Sequence, residues 1–579
     1  MLNSSPLKDA GKGPGDRSDT VTVGSVMLAR LKQLGVDYVF CNSGTDFPPI
    51  IEGLADAAAN DVSLPEALVI PQESAALGMA HGYYFATGKA QAVMLHTNVG
   101  LANGAMAAIN AAADGIPMIL MSGRTPVTER GRFGGRSVPV GWGQEMRDQA
   151  ALVREACKWD YELRFPEQID EILIRAHAIA NSTPKGPVYL SLPREVLCET
   201  LPKSPAWMPS SMAAVKSGPS AEAIETAARW MSEARRPLVI AQRGAATKDG
   251  FANFARLLSE RSIPICQWWA VSAAVPTDHP CYIGADPEPW LSEADVILVL
   301  DSLAPWSPAI HVPRPDARII QIGPDPLFTR VPVRNFRSDL SIACEIEDGI
   351  AALVTAMSQM PDVASGLLME RRALIVERRS LIRAKLDVDA QPSLPMRKDY
   401  VSRCLSEAIR DKDAVVLSEL GSRLDMLTLK AHDSWHLLPH SGGLGWAFPC
   451  AMGIQLADRA RLIVATIGDG SYIFSNPVAC HQIAEALDLP VLLIVLNNSE
   501  WAAVRHSVLN LYPDGYAARA NAMPLTSLQP SPDFTKVAQA SRGYAVQVED
   551  PEQLPAALAA AIAHIERNRT QALVEVRIR

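Results

Sequence analysis

Short apolar runs rich in Val, Ile and Leu recur along this chain, each followed by a longer stretch of helical spacing, and that alternation admits few folds. From about residue 21 to 197 the runs VDYVF, ALVI, AVMLH and PMILMSG are separated by PPIIEGLADAA, ESAALGMAHGYYFATG and ANGAMAAINAAADG. Strands that alternate with helices in this way predict a parallel sheet with helices on both faces. A second such unit carries RPLVIAQRG, IPICQWW, ADVILVLDS and ARIIQIG. A third carries AVVLSEL, RLIVATIGDG, PVLLIVLNN and ALVEVRIR. The expected architecture is α/β, three doubly wound parallel-sheet domains at 21–197, 216–357 and 398–579. Residues 1–20 read as a flexible tail, SPAWMPSSMAAVKSGPS as a linker from its Pro, Ser and Gly content, and 358–397 as a charged helical connector. The first and third units share length and rhythm without any repeat at the level of residues.

Composition excludes several functions. A chain of 579 residues, 48% hydrophobic and 20% charged, has material for more than one core. Its net charge of -9 gives no footing on phosphate backbones or anionic lipid, so nucleic acid and membrane surfaces are not expected partners. The nine cysteines are scattered, with no C-x-x-C pair and several inside apolar runs, which reads as buried thiols in a reducing compartment. Apolar runs such as PVLLIVL fall far short of the roughly 20 residues of a transmembrane helix, and the polar N-terminal stretch does not resemble a signal peptide. A soluble, cytoplasmic protein with a small-molecule partner is the expectation.

The chemistry concentrates in GDGSYIFSNPVACHQIAEALDLPVLLIVLNN, Gly468 to Asn498. Asp469 sits between glycines at one strand end, and Asn498 lies at the end of the next. In open parallel sheets ligands bind at that edge. A carboxylate, an amide oxygen and a nearby backbone carbonyl are hard ligands suited to Mg²⁺, which takes its remaining oxygens from phosphate. On its own GDG is equally a tight turn, and the asparagines a helix cap. The whole pattern resembles the thiamine diphosphate fingerprint of the acetolactate synthase, pyruvate decarboxylase and benzoylformate decarboxylase superfamily. That resemblance implies thiamine diphosphate and Mg²⁺ as cofactors. Asp469, the Asn498 side chain and the main-chain oxygen of Glu500 would hold the metal, with Gly468, Gly470 and Ser471 at the diphosphate.

Two further stretches support it. ALVIPQESAALGMAHGYYFATGKAQAVML is similar to the family segment whose glutamate bonds the cofactor's pyrimidine ring, and the matching residue is Glu73. HSGGLGWAFPCAMGIQLA resembles the segment that supports the bent cofactor, with the Gly442 carbonyl facing the pyrimidine amino group and Leu444 wedged between the rings. The likeness runs from about residue 21 to 579. It implies at least a homodimer, often a homotetramer, because Glu73 of one chain reaches the cofactor held by another.

The substrate is less determined. CNSGTDFPPI is similar to the substrate loop of the decarboxylases and places Thr45 there, with Asp46 beside it. VMLHTNVG puts His96 where benzoylformate decarboxylase has an active-site histidine able to shuttle protons; a satisfied strand-end histidine is the plain alternative. His440 is a second histidine of the same kind. Gln144 and Glu145, in GWGQEMRDQAALVREACKW, match a segment lining the synthases' substrate channel. The middle-domain histidine of benzoylformate decarboxylase has no convincing match, since His311 is offset, and the pattern argues against bound FAD. Glu500 would serve as a base in a lyase. The leading expectation is decarboxylation of a 2-oxo acid, with release of an aldehyde or carboligation to a second carbonyl. A 2-hydroxyacyl-CoA lyase or oxalyl-CoA decarboxylase-like enzyme is the second, with Arg243 its thin support. A catalytically silent relative is the third. Trp142, Trp446 and Trp501 fall near the motifs, as shapers of an apolar pocket or as ordinary core.

Overall fold

The computed structural model describes residues 20–202, 211–288 and 290–578. The expected tail lies outside them except for Thr20, and the expected linker lies partly outside. The described chain forms two compact units. One holds the residues up to Val215 with Pro439–Arg459 and Gln482–Leu489; the other holds Lys216–Leu438, Ala460–His481 and Pro490 onward.

In the first unit β1 (Thr20–Thr22) pairs antiparallel with β8 (Thr200–Pro202). Between them lie β2 (Tyr38–Asn42), β3 (Glu66–Val69), β4 (Gln91–Leu95), β5 (Met118–Arg124), β6 (Asp160–Glu162) and β7 (Pro187–Pro193). These six form one parallel sheet in the order β3-β2-β4-β5-β7-β6. Strands β4, β5 and β7 are buried along their whole length, as near-continuous apolar runs between two helical layers require. The helix Glu73–Thr87 begins where the Gln72 side chain accepts the Ala75 N–H and ends at Gly88, whose φ of 68° is the left-handed stop that glycine tolerates best. The helix Ala447–Ala457 is apolar all round and buried on nearly every residue, so it is a core helix, and it crosses Glu73–Thr87 closely.

The second unit contains two sheets. Strands β9 (Pro237–Ala241), β10 (Ile265–Cys266), β11 (Val296–Leu300), β12 (Arg318–Gly323) and β13 (Leu340–Ala343) form a parallel sheet in the order β10-β9-β11-β12-β13. The connector contains a helix over Ser365–Asp389. Its buried Arg371 donates to the carbonyls of Ala234, Arg235 and Arg261 and ties it to that sheet's helices. The remaining six are β14 (Ala414–Glu419), β15 (Trp435–Leu437), β16 (Leu462–Gly468), β17 (Leu492–Asn497), β18 (Tyr544–Val548) and β19 (Ala572–Arg577). They pair in parallel in the order β15-β14-β16-β17-β19-β18. Numbered within its own sheet, each six-stranded sheet reads 2-1-3-4-6-5. The shared rhythm of the first and third sequence units is therefore a shared topology.

Candidate active site

In each six-stranded sheet the strand order reverses between the first and third strands, opening a crevice at their carboxyl ends. In the first unit that point lies between β2 and β4. Asn42 ends β2 and its Nδ2 donates to Glu73 Oε1 at 2.9 Å, while Asn103 Nδ2 donates to Glu73 Oε2 at 3.3 Å. Glu73 is 9% exposed, in the first turn of its helix, where the helix dipole favours a carboxylate. His96 follows β4 as the residue before the helix Thr97–Ala113. Its Nδ1 is 2.5 Å from Asp46 Oδ1, and its Nε2 is 3.2 Å from Gln144 Nε2. The hydrogen bond to Asp46 is the main influence holding His96 above the usual imidazole pKa. Burial opposes it, and the charges of Asp46 and Glu73 add to it.

The chain thus brings Asp46, the neighbour of Thr45, to His96. Thr45 is exposed and its carbonyl accepts from Arg194. Gln144 adjoins His96, whereas Glu145 turns to Arg124 and Arg136. In the glycine segment Gly442 and Gly445 have φ of 72° and 86°, and the Gly443 carbonyl accepts Asn110 Nδ2 at 2.9 Å. Gly442 is exposed, Leu444 half-buried and Trp446 buried; Trp446 Nε1 donates to His81 Nδ1 at 3.3 Å. His440 is half-buried.

In the second unit β16 delivers Asp469 and its parallel neighbour β17 delivers the asparagine pair. Asp469 is 4% exposed. Its Oδ1 accepts the Gly470 N–H at 2.8 Å and its Oδ2 accepts the Ser499 N–H at 2.7 Å. Burial nevertheless pushes its carboxyl above the usual range, so a nearby cation would relieve it. The two asparagines divide the work. Asn497 is buried and fixes the turn through Glu575, Ser531 and Ser499; Asn498 stands half-exposed in the turn with Oδ1 accepting the Glu500 N–H. Ser499, directly after them, has φ of 55°, a sparsely allowed backbone fixed by hydrogen bonds to Asp469 and Asn497. A Cβ on Gly470 would stand 2.2 Å from the Trp501 ring, so only glycine fits there. Ser471 is buried in the same turn. One buried carboxylate, one amide oxygen and the Glu500 carbonyl are a donor set that fits Mg²⁺ with phosphate completing its shell. Among the described residues no group of three or more His, Cys, Asp or Glu side chains is arranged as a metal site, as a phosphate-shared ion requires none.

The Glu500 carboxylate accepts from Thr526 Oγ1 at 2.6 Å and from Arg505 at 3.2 Å, so this side chain is ion-paired. His311 is buried with Nδ1 accepting the Ser307 N–H, its ring edge-on to Trp268. Arg243 is paired with Asp301 at the switch point of the central sheet. Arg334 fills that region with bonds to Ser302, Leu303 and Gln321. Trp142 is exposed beneath Arg136, and Trp501 meets Phe474 edge-on. Sequence reasoning missed Asn42, Asn103 and the pairing of Asp46. All three follow from the fold, since strand order alone decides which loop meets which helix.

Three family profiles match the chain: thiamine pyrophosphate enzyme, N-terminal TPP binding domain, over 21–152; the central domain over 224–353; and the C-terminal TPP binding domain over 422–576. Among its relatives, a probable 2-ketoarginine decarboxylase of Pseudomonas aeruginosa is 26% identical over 92% of this chain and 90% of its own length. A probable acetolactate synthase large subunit of Methanocaldococcus jannaschii is 24% identical over 93% and 89%. Benzoylformate decarboxylase of Pseudomonas aeruginosa is 24% identical over 84% and 87%. The fold matches that of a thiamine diphosphate-dependent 4-hydroxybenzoylformate decarboxylase from Rhodococcus jostii, with a TM-score of 0.75, 22% identity and 96% and 99% of the two chains covered.

Proposed function

The chain belongs to the thiamine pyrophosphate enzyme family, and on that premise we propose that it removes CO₂ from a 2-oxo acid and releases the aldehyde. Thiamine diphosphate, with Mg²⁺ as its usual metal, supplies the electron sink for breaking the bond between the carbonyl carbon and the carboxylate. The observation that carries the aldehyde outcome is His96, an imidazole at the switch point with one nitrogen tied to a buried carboxylate. Loss of CO₂ leaves an electron pair on carbon that must collect a proton, and His96 Nε2 is a group able to deliver it. A carboligase, by contrast, must keep that proton away until the second carbonyl arrives.

The chain's other residues take complementary parts. Glu73, held by Asn42 and Asn103, would bond the cofactor's pyrimidine ring. Asp469, Asn498 and the Glu500 carbonyl would hold the metal, with Gly468, Gly470 and Ser471 toward the diphosphate. Gly442 and Leu444 would support the cofactor, while Thr45 and Gln144 would border the substrate. The active molecule is a homodimer or homotetramer in which Glu73 of one protomer serves the cofactor of its partner. The lyase reading asks the Glu500 carboxylate to act as base, and its ion pair with Arg505 weakens that role. A silent relative would be expected to lose the cofactor apparatus first, yet Glu73, Asp469 and Asn498 are all present.

The test is a reconstitution. Cofactor-depleted protein is given Mg²⁺ and thiamine diphosphate, then pyruvate, benzoylformate and a 2-hydroxyacyl-CoA side by side, with CO₂, aldehyde and formyl-CoA followed. Cofactor-dependent CO₂ with an equal amount of aldehyde is the expected result. Formyl-CoA without CO₂ would replace it with the lyase.

A further inference from the structure

We propose that Asp46 is the positioning residue for proton transfer at His96: its carboxylate fixes Nδ1 as the donor nitrogen and leaves Nε2 as the one that meets the reactant. The inference rests on the reading of His96 as a proton carrier and adds the residue that makes it one. Three observations carry it.

First, the carboxylate is anchored at both oxygens. Oδ1 is 2.5 Å from His96 Nδ1 and Oδ2 accepts the Thr97 N–H at 3.3 Å, with Asp46 only 3% exposed. A fixed acceptor fixes both the tautomer and the tilt of the ring. Second, the backbone is strained toward this pair. Thr97 has φ of 39°, and a β-branched residue in the left-handed region is a genuine outlier. Such strain persists where surrounding structure over-determines it, and here it aims the Thr97 N–H at Asp46. Third, the pair occupies space that two glycines leave open. A Cβ on Gly44 would lie 2.1 Å from His96 Nδ1, and one on Gly123 would lie 1.5 Å from Asp46 Oδ2. Loops from β2 and β4 and the end of β5 thus converge on one hydrogen bond.

The groups facing His96 are the carboxylates of Asp46 and Glu73 and the amide of Gln144; the nearby cation Arg194 donates to the carbonyls of Thr45, Gly134 and Gly135. Two acids favour the imidazolium. In that state both ring nitrogens donate, and the Gln144 amide turns its oxygen to Nε2. The step balances simply: the carbon–carboxylate bond breaks, CO₂ leaves, the electron pair on carbon takes the proton from Nε2, and the imidazole regains one from solvent.

Asp46→Asn tests this, because it keeps the size and one acceptor oxygen but removes the charge. The titration midpoint of His96, followed by NMR of ¹³C-histidine-labelled cofactor-free protein, is expected to fall. In the holoenzyme kcat is expected to drop roughly 10²-fold with KM little changed, and the pH limb of kcat/KM to move down with the midpoint. In a His96→Gln background Asp46→Asn should cost almost nothing more, since residues acting as a unit are not additive. Asp46→Ala, read by the same midpoint, covers the case in which the asparagine variant folds poorly. An unmoved midpoint, or full additive losses in the double variant, would overturn the proposal. A wild type that turns over no 2-oxo acid while the midpoint still shifts contradicts the proton-carrier reading and leaves the Asp46–His96 coupling standing.

Discussion

At the scale of single residues, the account turns on buried polar groups whose partners are fixed. Asp469 is a carboxylate held out of water by two backbone N–H groups. A buried charge without a cation costs stability, and Mg²⁺ with a diphosphate would remove that cost. Asp469→Asn removes the charge but turns an amide N–H₂ toward one of those two N–H groups, so the cofactor-free protein should lose some stability, while the rise in melting temperature on adding Mg²⁺ and thiamine diphosphate should be abolished. That rise corresponds to about 2.7 kcal/mol at a hundredfold excess over Kd. An unchanged cofactor-dependent shift in the variant would remove Asp469 from the metal site. His96 yields a prediction with a sign. Its folded pKa lies above the unfolded value of about 6.5. Its contribution to stability is therefore fully present below that pH and is lost as pH rises through the folded midpoint. Denaturant midpoints measured across that window should fall less steeply for His96→Gln than for the wild type.

At the scale of elements, the helices Glu73–Thr87 and Ala447–Ala457 show how closely the sequence is fitted to its packing. A Cβ on Gly82 would lie 1.9 Å from the Cys450 carbonyl, and one on Gly453 would lie 2.0 Å from the Met79 carbonyl. Backbone cannot retreat as a side chain can, so Gly82→Ala should destabilise by about 1–3 kcal/mol or more, read as a lower denaturant midpoint. Equal stability would show that the helices slide apart freely. The alternation of apolar runs made the strands legible, because parallel strands covered on both faces must be apolar throughout. The motif GDG and the pair NN were legible because glycine and asparagine have narrow reasons to stand at strand ends. Which of two adjacent residues turns inward was not legible. Thr45 and Asp46 differ by one position in a loop, and only the meeting of that loop with β4 and β5 selects Asp46. The role of Asn497 was hidden for the same reason, since residues 575 and 531 supply its partners from far along the chain.

At the scale of the whole molecule, two six-stranded sheets of identical strand order each present chemistry at the carboxyl ends of their strands. The first offers Glu73 and His96, and the second Asp469 and Asn498. If these halves serve one cofactor across protomers, a mixed oligomer of Glu73→Gln and Asp469→Asn chains contains sites with both halves intact. Co-assembly of the two inactive variants should recover up to about half of the wild-type activity in each mixed dimer, in line with the geometry of an isologous pair. No recovery in demonstrably mixed oligomers would place both halves of a site in one chain. The central claim, that Glu73 acts on a thiamine diphosphate bound by this chain, is tested most directly by measuring cofactor binding and turnover together in Glu73→Gln. The account predicts thiamine diphosphate bound with Mg²⁺ as in the wild type and CO₂ release from a 2-oxo acid lowered by about 10²-fold or more. Normal turnover in that variant, or no thiamine diphosphate bound by the wild type, would contradict it.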